Sequence, residues 1–313
     1  MAPDASATTP PSAASHVQRA YVDDTKRPRT IILWSHPRSC STMFECMLLN
    51  LKDEFHVLHE PMGESYYFSK ERVHRRFSEE QCKESGHEQH TYEKAWREVS
   101  EPHPTHRVFS KDMASYLIDL SKPPGTVAPS YKNAPTTANN PTLIPTNLLL
   151  QPHIRHTFLI RHPKRAVPSY ERLCYPGAPT GFDYFDPSEM GYKESRLLFD
   201  FIKAETGEPP LIVEAEALLA KPKEVAGRYC AEVGIDFRED MLEWSSETRE
   251  HFKKWQGWHT DAEKSTGVGR QSSEGDADKD KRPKEDKPLS PELQKVVEDN
   301  MEDYEYLRSF AQR

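Results

Sequence analysis

The chain predicts an α/β domain, a single central parallel sheet flanked by helices. Two observations carry that prediction. The runs Ile31-Ile32-Leu33, Phe158-Leu159-Ile160 and Leu211-Ile212-Val213 are apolar at every position instead of alternating, as in strands covered on both faces. Such runs also alternate along the chain with segments whose apolar residues recur at helical spacing. That order joins parallel strands through helical crossovers. A chain of 313 residues could hold one large domain of this kind or two small ones, and the single domain is the reading taken.

The elements follow in order. The first strand covers residues 30–35 and feeds a helix over 42–52. Ser39, Ser41 and Thr42 stand where a helix N-terminus takes its caps, and Met43, Phe44, Met47 and Leu48 give the helix an apolar face. Strands follow at 55–58 and 107–110, with helices at 91–100 and 112–120. Later come strand 156–160, helices 164–174 and 189–204, strand 211–214 and helix 222–233. A last helix spans 291–310. There is no internal repeat.

Hydrophobic residues make up 35% of the chain, low for a fully packed protein, so some of it is expected to lie outside the core. Residues 1–28, rich in Ala, Ser, Thr and Pro, read as a disordered N-terminal tail. Residues 121–152, rich in Pro, Thr and Asn, read as a long surface excursion or lid within a domain spanning 29–270. Residues 271–290 read as a charged, mobile linker before a C-terminal helical segment, 291–313. The net charge of −8 speaks against a general nucleic-acid binder. The five cysteines, an odd number without close pairs, fit free thiols in a reducing compartment better than disulfides or a zinc site. No His pair at ligand spacing is backed by other ligands, so no metal is expected. No apolar run approaches the ~20 residues of a membrane span. The N-terminus lacks the apolar core of a secretion signal, and Asp4 and the absence of an early Arg speak against a transit peptide. The expected location is cytoplasmic, with no membrane partner.

Chemistry concentrates in two strand-to-helix turns. In His36-Pro37-Arg38-Ser39-Cys40-Ser41-Thr42 a strand delivers one Arg and several hydroxyls to a helix N-terminus, whose free N–H groups and positive dipole end attract anions. The Arg and hydroxyls favour phosphate over carboxylate. The nucleotide-hydrolase pattern G-x-x-x-x-G-K-S/T is absent. Taken alone, a capped helix explains the stretch equally well. The second turn, Arg161-His162-Pro163-Lys164-Arg165-Ala166-Val167-Pro168-Ser169, again follows a buried strand and is again basic.

Together these turns resemble those of the sulfotransferases that use 3′-phosphoadenosine 5′-phosphosulfate (PAPS), a family with a P-loop nucleotide-binding-like fold. Its first loop, typically Tyr-Pro-Lys-Ser-Gly-Thr-Thr, holds the 5′-phosphosulfate. Its second, typically Arg-Asn-Pro-Lys-Asp-x-x-x-Ser, holds the 3′-phosphate, and the Arg-to-Ser spacing is kept here. Leu211–Pro222 resembles a third family segment, a strand with a Glu and a following turn. The resemblance covers about residues 30–270.

The resemblance implies roles, residue by residue. Arg38 takes the place of the Lys that stabilises the leaving phosphate. Ser39, Cys40, Ser41 and Thr42 form the phosphosulfate loop, with no chemistry assigned to the Cys40 thiol, which replaces a Gly. Arg161 and Ser169 take the 3′-phosphate. Arg270 is a candidate for the late basic loop that closes over it, although the usual Arg-Lys-Gly string is missing. The family's common His base would fall at Met113, so the base is sought elsewhere. Glu60, delivered by the strand 55–58, is the first candidate and His59 the second. Lys111 either neutralises the sulfate, orients Glu60 or is a plain surface cation. Tyr66, Tyr67 and Phe68 are either core or the wall of a pocket for an apolar acceptor. The implied activity is metal-free sulfuryl transfer to a hydroxyl, less readily an amine, of a small molecule. Two rival readings stand beside it: an ATP-dependent phosphoryl transferase, and a non-catalytic nucleotide-binding protein on a decayed sulfotransferase fold. Oligomeric state is not legible in the sequence.

Overall fold

In the computed structural model, which describes residues 27–244, 252, 255, 257–259, 265–268, 270–271 and 288–311, five strands form the central sheet. They are β1 (Thr30–Ser35), β2 (Phe55–His59), β3 (Arg107–Met113), β4 (Ile154–Ile160) and β5 (Leu211–Glu214), in the order β2-β3-β1-β4-β5. Every neighbouring pair is parallel. The sheet is covered on both faces, which is why every residue of β1, with its apolar run Ile31-Ile32-Leu33-Trp34, is buried. In β1, Ile31 and Leu33 pack into one layer with Phe44, Met47, Leu218 and Tyr229. Ile32 and Trp34 pack into the other with Phe158, Leu198, Phe199 and Leu307.

The helices are α1 (Ser41–Leu49), α2 (Gly63–Tyr67), α3 (Glu79–Glu84), α4 (Tyr92–Ser100), α5 (Thr146–Leu149), α6 (Pro163–Glu171), α7 (Tyr192–Thr206), α8 (Ala215–Ala220), α9 (Pro222–Glu232), α10 (Pro291–Asp299) and α11 (Met301–Ser309). None among the described residues is long and apolar enough to cross a membrane. After β1 the chain builds β2 and β3 on one side, then crosses to build β4 and β5 on the other. The strand order therefore reverses beside β1, and the crevice at the carboxyl ends of β1 and β4 is where an open α/β sheet takes its ligand.

Several elements differ from expectation. Residues 112–120 do not form a helix. β3 continues to Met113, pairing Asp112 with Trp34 and Met113 with Ser35, and only one 3-10 turn, Ala114–Leu117, follows. Lys111 and Asp112 suggest the start of an exposed helix, yet both are buried and satisfied at the strand's end. The Asp112 carboxylate accepts from the backbone N–H of Met62 and of Met113, each at 2.9 Å. Residues 121–152, expected at the surface, place Ala128, Asn140, Thr142, Ile144 and Leu149 wholly inside. Their polar composition serves the loop itself. The Asn140 amide donates to Ile144 O and Thr136 Oγ1, and its oxygen accepts from Thr142 N and Oγ1. Buried loop backbone needs such partners. The last helix is two, α10 and α11, because the Asn300 side chain donates to Val296 O at 2.7 Å and competes with the helical ladder. The short antiparallel pair β6 (Ser265–Gly267) and β7 (Arg270–Gln271) gave no sequence signal. Nearly all of the expected tail and of the charged linker lies outside the described residues.

Candidate functional site

The turn from β1 into α1 is tight and strained. Arg38 (φ 61°) and Cys40 (φ 70°) both adopt the left-handed conformation that glycine takes readily. Cys40 is the N-cap of α1 and makes no side-chain cap, and neither Ser39, Ser41 nor Thr42 supplies one in its place. The expected capping role is thus not taken up. Ser39 is wholly buried and its Oγ has no hydrogen-bond partner among the described residues. A buried hydroxyl left unpaired costs about 1–3 kcal/mol, which marks the loop as shaped for something besides its own closure.

The turn after β4 meets this loop directly. Arg38 Nε donates to Ser169 Oγ at 2.9 Å, and its Nη1 donates to Trp258 O at 2.7 Å. Arg161 Nη1 donates to Arg38 O at 3.0 Å. Arg161 Nε lies 3.8 Å from Glu216 Oε1 and makes no hydrogen bond. The Arg161 carbonyl accepts from the Tyr192 hydroxyl at 2.7 Å. His36 joins the turns: its Nδ1 donates to Pro37 O and its Nε2 accepts the Arg161 N–H, each at 3.0 Å. Burial, with a smaller push from the Arg161 charge, brings the His36 pKa down to about 3, so the ring is neutral and suited to accept. Lys164 and Arg165 are exposed.

A second group of polar side chains fills the carboxyl ends of β2 and β3. Glu60 follows β2 in a left-handed conformation (φ 48°), and its N–H donates to Lys111 O at 2.8 Å, extending the strand pairing by one bond. Lys111 is wholly buried. Its ammonium bonds to the Glu60 carboxylate and lies 3.7 Å from Glu45 Oε2. Burial works to raise the Glu60 pKa, but Lys111, then His59 and His259, pull harder and leave it below the usual value. For Lys111 burial works downward, and Glu60 and Glu45 more than reverse it. Both groups are therefore charged at neutral pH. His59 bonds through Nδ1 to Glu45 Oε2 at 2.8 Å and through Nε2 to His259 Nε2 at 3.1 Å. His259 Nδ1 lies 2.9 Å from Thr42 Oγ1. Burial first, then His59 and Lys111, lower the His259 pKa to about 3, which keeps that ring neutral.

The structure thus brings Arg38, Ser39, Cys40, Ser41 and Thr42 together with Arg161 and Ser169, and connects Thr42 to His59, Glu60 and Lys111. Arg270 lies in β7, paired with Gly267, and its side chain falls outside the described set. Met113 is buried, its sulfur accepting from Ser35 Oγ. Beside Glu60, Tyr66 and Tyr67 pack into the core with Tyr116, and a Cβ on Gly63 would meet the Trp255 ring at 2.6 Å. Sequence reasoning missed Glu45 and His259. Glu45 had a cue, a lone carboxylate among the apolar residues of α1, where an acid is rarely buried without a partner. His259 had none, since its partner His59 is 200 residues away.

Residues 147–286 match the family model described as "Sulfotransferase domain". The match takes in Arg161, Ser169, His259 and Arg270, while the loop after β1 lies ahead of it. The Arabidopsis thaliana protein described as "Branched-chain-amino-acid aminotransferase-like protein 2" is 28% identical over 114 residues, which are 36% of this chain and 19% of that protein. Among solved structures, a mouse sulfotransferase complexed with PAP has a TM-score of 0.47 at 12% identity, covering 92% of each chain. Retinol dehydratase in complex with retinol and PAP has 0.40 at 14%, covering 95% of this chain and 87% of that one. The sulfotransferase domain from the curacin biosynthetic pathway has 0.39 at 15%, covering 88% and 98%.

Proposed function

We propose that the protein is a sulfotransferase that moves a sulfuryl group from PAPS to a hydroxyl, or less readily an amine, of a small molecule. The observation that carries this reading is the junction of the two basic turns: Arg38 and Arg161 converge at the switch-point crevice beside the unpaired, buried Ser39 Oγ. A nucleotide with a phosphate at each end suits two such turns better than a single anion would.

In this reading Ser39, Ser41, Thr42 and the amides at the α1 N-terminus hold the 5′-phosphosulfate. Arg161 and Ser169 hold the 3′-phosphate. Bound there, PAPS supplies an activated sulfuryl group whose departure leaves charge on the 5′-phosphate. Arg38 meets that charge, held in place by Ser169. Glu60 receives the acceptor's proton. Paired with Lys111, Glu60 is ionised but a weak base. When the Lys111 ammonium turns toward the transferring group, Glu60 loses its counter-ion and its proton affinity rises. His59 is the second candidate for that step. The aromatic side chains of Tyr66, Tyr67 and Trp255 suit an acceptor with an apolar or aromatic body.

The test is calorimetric titration of the full chain with adenosine 3′,5′-bisphosphate alongside AMP, ADP and ATP. Tight binding confined to the 3′-phosphorylated ligand is expected. A preference for ATP, or no binding to any of them, overturns the proposal.

A further inference from the structure

In the chain Glu45–His59–His259–Thr42 each hydrogen bond has a direction, and the directions are linked. Glu45 lies beside both His59 and the Lys111 ammonium, the surroundings of a carboxylate, so it accepts and His59 Nδ1 carries the proton. If that is the only proton on His59, its Nε2 is bare and accepts from His259 Nε2. His259, neutral too, is left with a bare Nδ1, to which the Thr42 hydroxyl donates. Threonine has one O–H. In this state Thr42 gives its proton to His259 and has none for an anion in the loop that it helps to form.

Reversing the chain frees that proton and requires one more. Thr42 then donates outward and accepts from His259 Nδ1–H. His259 Nε2 accepts from His59 Nε2–H, and the added proton sits between His59 Nδ1 and Glu45. We propose that binding of the 5′-phosphate group of a nucleotide in the loop 38–42 takes up one proton into the Glu45–His59 pair through this reversal. The inference rests on the functional reading above, since it needs an anion in that loop.

Charge argues the same way. The charged or titratable groups around His59 among the described residues are Glu45 from α1, Glu60 beyond its own strand, Lys111 from β3 and His259 from the segment 257–259, with the Phe252 ring against it. The Glu45 and Glu60 carboxylates both face the Lys111 ammonium beside the loop, and a proton added to this group makes it less repulsive to an anion there. Thr42 is in this way a sensing residue of the loop as well as a ligand, and His259 is a positioning residue that never touches the nucleotide.

Proton uptake is read by titrating the full chain with adenosine 3′,5′-bisphosphate at about pH 8, above the ordinary range of imidazole, in two buffers of unequal ionisation enthalpy. The native chain is expected to take up close to one proton per nucleotide, and its affinity to weaken by up to about tenfold per pH unit as pH rises. Thr42→Val, close in shape and without the hydroxyl, and His259→Ala, which cuts the chain, should both lose the uptake and the pH slope. Thr42→Ser should retain them. No uptake by the native chain, or equal uptake in Thr42→Val and native, overturns the inference while leaving nucleotide binding intact. A native chain that binds no nucleotide overturns the functional reading instead, and this one with it.

Discussion

Replacing Lys111 by Met should reverse the sign of the protein's response to acid. Lys111 is wholly buried and serves two carboxylates, those of Glu60 and Glu45. Without its ammonium, Glu45 keeps His59, while Glu60 is left buried without its main counter-ion. Removing one partner of a buried pair costs about 3–5 kcal/mol. At about 2–4 °C per kcal/mol for a domain of this size, the melting temperature at neutral pH falls by about 6–20 °C. In the native protein the Glu60 pKa lies below the ordinary 4.5, so its contribution is present above that value and lost as pH falls through the folded-state value. In Lys111→Met burial acts largely unopposed, and the folded-state pKa rises above the ordinary value. The variant is then least destabilised at low pH, and the deficit grows as pH rises through the raised pKa. Lys111→Met combined with Glu60→Gln should recover most of the loss, because a neutral amide replaces the stranded charge. Urea unfolding of the four proteins across a pH series reads all of this. A single variant that costs under about 1 kcal/mol, or whose deficit does not change with pH, would refute the buried ion pair.

Other outcomes follow from the same geometry. Arg161→Ala should weaken binding of adenosine 3′,5′-bisphosphate by about 10- to 100-fold, the worth of a charge-assisted contact. AMP binding should barely change, and equal losses for both would remove the 3′-phosphate assignment. Glu60→Gln should cut turnover by about 10²–10⁴-fold with nucleotide affinity intact, and a fully active variant would exclude Glu60 as the base. Gly63→Ala forces a methyl against the Trp255 ring and should destabilise by about 1–3 kcal/mol, checked by denaturant midpoint. Cys40→Gly relieves the left-handed backbone and should stabilise by about 0.5–1 kcal/mol after the greater freedom of glycine in the unfolded chain is counted. A loss of stability would count against strain at that turn.

Much of the fold was legible because burial on both faces leaves a continuous apolar run. β1, β4 and β5 could be read directly from such runs; that β1 and β4 are neighbours, which brings their basic turns together, is set by the order of strands in the sheet. What escaped was set by tertiary partners. Lys111 and Asp112 are strand residues because Glu60, Glu45 and two backbone N–H groups satisfy them, none of which is visible from local composition. The Asn140 and Thr142 side chains close a buried loop, yet their residue types are those of surface turns. Glu60 and Lys111 were singled out from the sequence, with orientation of Glu60 by Lys111 one of the readings, but the histidine chain beside them depends on contacts spanning up to 217 residues.

The hydrogen bonds between the turn after β1 and the turn after β4 have a metric consequence. β1 and β4 are adjacent strands, and Arg38 is tied to Ser169 while Arg161 is tied to the Arg38 carbonyl. The gap between the two basic turns is therefore a property of the sheet, fixed before any ligand arrives. Under the proposed function the pair would work as a caliper: it would accept a nucleotide by the span between its two phosphates, and a ligand whose phosphates are set closer or farther apart would engage one jaw only.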